Sequence, residues 1–88
     1  MYKGRTNSGF EFEVAETALD NMELIDLMAE VEDNPLLFSK VVTLLLGKKQ
    51  KKALYDSLRR EDGTVPVKAV SATVTEIFNL LGDAGKNS

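Results

Sequence analysis

The sequence predicts a mostly helical α+β domain: an N-terminal β-hairpin packed on a bundle of four short helices. Two patterns carry that reading. The run FEFEV, Phe10–Val14, alternates strictly between apolar and acidic residues behind the turn cluster Asn7-Ser8-Gly9. From Met22 onward, apolar residues recur at spacings of three and four, in blocks separated by Asn-Pro, Gly and Asp-Gly.

The hairpin arms are residues 2–6 and 10–14. Phe10, Phe12 and Val14 share one face and Glu11 and Glu13 the other. A lone two-stranded hairpin is marginal in water, so the aromatic face is expected to lie on the helices. An outer strand edge is the alternative place for another subunit to pair. The first helix follows Asp20, which with Glu23 predicts a capping box; Leu19 and Leu24 suit the accompanying staple. Met22, Ile25, Met28 and Ala29 form one apolar stripe, widened by Leu24, Leu27 and Val31. Glu23, Asp26, Glu30 and Glu32 are expected to face water. Those carboxylates sit in no loop resembling a calcium site and read as a solvated face.

The second helix is NPLLFSKVVTLLLG, with Asn34 as cap, Pro35 in its first turn and Gly47 as a left-handed stop. Only Ser39, Lys40 and Thr43 are polar between the ends, so the helix must be buried on several sides, by its own chain or by another. Leu36, Phe38, Val42, Leu45 and Leu46 are assigned to the core. Leu37, Val41 and Leu44, at i, i+4 and i+7, are assigned to an interaction edge. The third helix opens on Lys48, Lys49, Lys51 and Lys52, a solvated face or a contact for an acidic partner, with Ala53, Leu54, Tyr55 and Leu58 as its apolar side. The fourth starts at Pro66 and buries Val67, Val70, Val74, Ile77, Phe78 and Leu81. Gly82 is its expected stop, giving one domain over residues 1–81 and a loose tail over residues 82–88.

Composition narrows the function. The 88 residues contain no His and no Cys, which removes imidazole bases, thiolate metal sites and disulfides, and no carboxylate, Lys or Tyr pattern suggests catalysis. No enzyme activity, metal or cofactor is expected. The sequence also shows no signal peptide and no membrane span. Net charge is −3, unevenly spread. Residues 1–47 hold nine acids against Lys3, Arg5 and Lys40, and residues 48–88 hold eight bases against five acids. Such asymmetry either steers head-to-tail association or reflects separate solvated faces. A small Cys-free chain with an over-apolar helix is expected to self-associate. A nucleic-acid-binding regulator using Lys48–Lys52 with Arg59 and Arg60 is the alternative. Bases at a helix start without interleaved aromatics argue against it.

The segments GRTNSGFEFEV, ALDNMELIDLMAEVEDNPLLFSKVVTLLLG and QKKALYDSLRREDGTVPVKAVSATVTEIF resemble the small tail assembly chaperones of long-tailed phages and prophages of Gram-positive bacteria. The resemblance runs from about Lys3 to Leu81 and rests on the combination of short aliphatic and acidic runs. Lys48 and Lys49 depart from it, standing where acidic residues are expected. The resemblance implies a non-catalytic protein of the host cytoplasm, absent from the mature virion. It would coat the tape measure protein, keep it soluble and help recruit tail tube subunits. It also implies a longer frameshifted form, for which residues 82–88 are a natural junction.

Overall fold

A computed structural model of the chain describes the backbone of residues 1–86 and the side chains of residues 1–82. Strands β1 (Tyr2–Arg5) and β2 (Glu11–Val14) pair antiparallel, with Tyr2 opposite Val14 and Gly4 opposite Phe12. The turn closes through Thr6 N–H to the Phe10 carbonyl and Gly9 N–H to the Thr6 carbonyl, both 2.9 Å, with Gly9 at φ 94°. Phe12 and Val14 are buried and Phe10 packs at the margin of the core, as the alternation requires.

Gly4 is dictated by its cross-strand partner. A Cβ there would come within 2.6 Å of Phe12 Cζ, because the far end of the ring occupies the space beside the glycine. Gly4→Val is therefore expected to lift the ring out of the core and lower stability by about 1–3 kcal/mol, the usual cost of overpacking. Thermal unfolding checks this. An unchanged midpoint would mean that the ring does not sit there in solution.

A single helical turn, α1 (Glu16–Leu19), follows the hairpin and was not anticipated. It moves the next cap by one residue. Asp20 closes α1 through its N–H to the Glu16 carbonyl, and Asn21 caps α2 (Met22–Val31), its side chain accepting the Glu23 N–H at 3.0 Å. The Asp20 capping box is thus replaced by an Asn21 cap. Asn34 caps as expected, accepting the Leu36 N–H at 3.3 Å, but the turn it starts, Pro35–Leu37, is 3₁₀ and leads into α3 (Phe38–Leu58).

Gly47 divides α3. Its φ of 81° and ψ of 163° are non-helical and split the element into two limbs, residues 38–46 and 48–58, which are the predicted second and third helices. The limbs fold back on each other. Lys51 Nζ reaches Ser39 Oγ at 2.6 Å and Thr43 Oγ1 at 2.9 Å, across twelve and eight residues. In a straight helix a twelve-residue separation spans about 18 Å, several times the reach of a lysine side chain.

The Asp62-Gly63 turn stands as read. Asp62 accepts the Thr64 N–H at 3.0 Å and its hydroxyl at 2.6 Å, with Gly63 at φ 90°. Helix α4 spans Val67–Lys86. It passes through Gly82, where a stop was expected, so the predicted tail over residues 82–88 is helical as far as Lys86. Residues 87 and 88 lie outside the described residues. The core joins β2 (Phe12, Val14), both limbs of α3 (Val42, Leu45, Leu46, Leu54) and α4 (Val70, Val74, Ile77, Leu81). Val67 does not take part. As the first residue of α4 it stands ahead of the packed turns and is 75% exposed.

Candidate interaction surfaces

Helix α2 is apolar on two opposite faces. At about 100° per residue, Leu24, Leu27 and Val31 occupy one arc and Met22, Ile25 and Ala29 the arc across from it. Leu24 is buried, with Leu27 and Val31 half-buried, so the first arc is the one seated on the fold. Met22, Ile25 and Met28, expected in the helix's single apolar stripe, are 64%, 51% and 42% exposed. Just beyond the helix, Leu36 is 87% exposed. A 3₁₀ turn has roughly three residues per turn, which rotates Leu36 off the inner face that α-helical spacing assigned to it. The exposed apolar arc of α2 has Asp26, Glu30 and Glu23 along one side of it, and Leu36 stands exposed beyond the helix end.

The other residues assigned to the second helix fall in mixed places. Val42, Leu45 and Leu46 are buried as expected, and Phe38 packs against the core. Of the proposed interaction edge, Leu37 and Leu44 are half-buried. Val41 is only 2% exposed, which removes it from any surface of the monomer. It lies beside Val31, Phe38, Val74 and Phe78 around a cleft of about 170 Å³, where α2, α3 and α4 converge. Leu44 and Leu27 instead floor a groove of about 450 Å³ between α2 and the first limb, walled by Glu23, Asp26 and Glu30 with Lys40 opposite.

The basic cluster is less available than its composition suggests. Lys51 is turned back onto the first limb, donating to Ser39 and Thr43, with its ammonium 5.7 Å from the Tyr55 ring centre. Lys52 and Arg59 both pair with Asp56 at 3.0 Å, and Arg59 also donates to the Gly63 carbonyl at 2.7 Å. Those hydrogen bonds from Lys52 and Arg59 hold the Asp56 carboxyl below the usual carboxylate range. Arg60 donates to Thr64 Oγ1 at 3.1 Å. Lys48 and Lys49 alone of the four lysines have no hydrogen bond or ion pair among the described residues.

Two lysines without a partner among the described residues make a short phosphate footprint. Duplex DNA is therefore expected to bind at physiological salt no tighter than the non-specific range of about 10⁻⁴–10⁻⁶ M, read by fluorescence anisotropy. A sequence-specific nanomolar complex would promote the regulator reading.

Gln50 was missed by sequence reasoning. Its side-chain amide accepts the Glu13 N–H at 2.7 Å and donates to the Glu13 carbonyl at 2.6 Å, imitating a further strand along the edge of β2. That occupies the edge at Glu13, where a partner strand would pair. Nothing in a lysine-rich run marks one Gln as a strand cap. Beside it, the hairpin and the start of the second limb enclose a groove of about 880 Å³, floored by Phe12, Leu46 and Ala53 and rimmed by Lys48 and Lys49.

Among the described residues, no helix is long and apolar enough to cross a membrane. No family model, curated protein or solved structure matches this chain.

Proposed function

We propose that this chain is a tail assembly chaperone of a long-tailed phage or prophage, working in the host cytoplasm and absent from the mature virion. It self-associates, coats and solubilises the tape measure protein and helps recruit tail tube subunits. It acts by binding alone, without catalysis, metal or cofactor. The observation that carries the reading is the exposure of Met22 and Ile25 on α2, of Met28 at the mouth of the Val41 cleft and of Leu36 just beyond the helix. A folded chain that leaves such a surface uncovered invites a protein partner. Methionine suits the task because its unbranched, polarisable side chain adapts to differently shaped apolar surfaces. The acids beside that surface favour soluble, reversible contact over precipitation.

The test is co-expression with the tape measure protein of the same phage or prophage. That protein is expected to become soluble and to co-purify with this chain, and Ile25→Asp is expected to abolish both effects while leaving circular dichroism unchanged. A tape measure protein that stays insoluble, or one rescued equally by the Ile25→Asp variant, would overturn the reading.

A further inference from the structure

We propose that copies of this chain join head to tail, with α2 of one copy seated in the groove between the hairpin and the second limb of α3 of the next. This rests on the self-association in the reading above and is independent of which client is carried. Two complementary surfaces carry it. The groove has an apolar floor of Phe12, Leu46 and Ala53 and a rim bearing Lys48 and Lys49, neither of them paired among the described residues. Of the other charges along it, Lys3 and Glu13 pair with each other at 3.6 Å, and Arg5 stands opposite Glu11 in the hairpin register. The rim is therefore left net positive by the two lysines.

Helix α2 offers the converse: the exposed Met22 and Ile25 stripe, edged on one side by Asp26 and then by Glu23, which also faces Lys40 of its own copy across the α2 groove, with no basic residue anywhere in the element. Seating that stripe over Ala53, above the already buried Phe12 and Leu46, removes Met22 and Ile25 from water and brings the acidic side of α2 to the lysine rim. No residue of α2 lines the groove, so the fit is made between copies and not within one. The two surfaces differ, which makes the contact heterologous: it propagates into open chains, or rings if the rotation closes. Met28 and Leu36 lie outside the seated stripe and stay open to a client in every copy.

Sedimentation velocity, run up to millimolar protein, tests this with two paired charge reversals, Glu23→Lys with Asp26→Lys and Lys48→Glu with Lys49→Glu. All four positions are exposed, so the fold is expected to survive, as circular dichroism would show. The wild type is expected to form species that lengthen with concentration and shorten with salt. Each reversal alone is expected to weaken association about tenfold or more, since like charges then face each other. Mixing the two variants restores chains, because every contact is again between opposite signs. Should either reversal disturb the fold, Glu23→Gln with Asp26→Asn and Lys48→Gln with Lys49→Gln give the same order with smaller effects.

A monomer at every concentration overturns the proposal. So does association indifferent to Lys48 and Lys49, which would point to an α2-to-α2 dimer, and so does a mixture that stays dissociated. Tape measure solubilisation by the same variants is scored separately. Loss of client rescue with the charge pattern intact would remove the chaperone reading and leave the head-to-tail contact standing.

Discussion

Replacing Gly47 by Ala is expected to lower stability by about 1–3 kcal/mol, the cost of holding a side-chain-bearing residue in a glycine-only conformation. At φ 81° and ψ 163° Gly47 lies outside the left-handed helical well, so Asn, which tolerates that well, should not rescue it. For a domain of this size each kcal/mol lost lowers the melting midpoint by roughly 4–8 °C. The open space around Gly47 rules out a steric clash as the cause, since nothing lies within 4 Å of the Cβ position. Ala also favours running the helix straight through. That would separate Lys51 from Ser39 and Thr43 and pull Gln50 away from Glu13, freeing the hairpin from the second limb. Species larger than those of the wild type are then expected, through exchange of limbs between copies. Gly82 provides the internal control. It lies within α4 at no unusual φ and with open space around it, so Gly82→Ala should raise stability by about 0.5–1 kcal/mol. If Ala at 47 and at 82 shift the melt in the same direction, the limbs do not fold back at Gly47.

Where the chain's periodicity had one solution, it could be read. Alternation in Phe10–Val14 placed Phe12 and Val14 inward, the three-and-four spacing from Val70 to Leu81 chose a helix over a Val-rich strand, and glycine with flanking lysines marked the break at 47. Where it had two solutions, the wrong one was available. In α2 both arcs are apolar, and spacing alone does not say which faces the fold; the structure seats the Leu24–Leu27–Val31 arc and leaves the Met22–Ile25 arc to water. The stop at Gly82 failed for a related reason. Glycine ends a helix only where the chain must turn, and here α4 simply continues. The candidate site was legible only in outline. The sequence assigns an interaction edge to the second helix, but the exposed apolar side chains lie mainly one helix earlier, because Val41 is buried at the convergence of three helices while Leu36 is thrown outward by a 3₁₀ turn. Composition treats the four lysines of the basic cluster alike, whereas the fold leaves Lys48, Lys49 and Lys52 exposed and half-buries Lys51. Whether a lysine is available depends on acceptors brought near by the fold, and for Lys51 those are twelve and eight residues away across the Gly47 bend.

Leu54→Ala is expected to produce the largest loss of all, about 2–5 kcal/mol, as truncation of a fully buried leucine does when the cavity cannot collapse. Leu54 is 0% exposed and belongs to the cluster that ties the second limb to β2 and α4, so the void opens among elements held from several sides. At about 0.05–0.15 kcal/mol per residue, a chain of 88 residues has 4–13 kcal/mol of stability in total, so this one change removes a large share of it. The same chemical change at Leu36, 87% exposed, should stay within about 0.5 kcal/mol. Urea unfolding of the two variants side by side measures the contrast, with a fall in midpoint at constant slope for Leu54→Ala and almost none for Leu36→Ala. Equal losses would mean that the second limb does not close over the hairpin as described. Leu36→Ala then tests the proposed chaperone role: it leaves the fold intact but trims an exposed apolar side chain, so on that proposal solubilisation of the tape measure protein drops while the urea midpoint holds. A leucine retained for packing reports through stability, and a leucine retained for contact reports only when a partner is present.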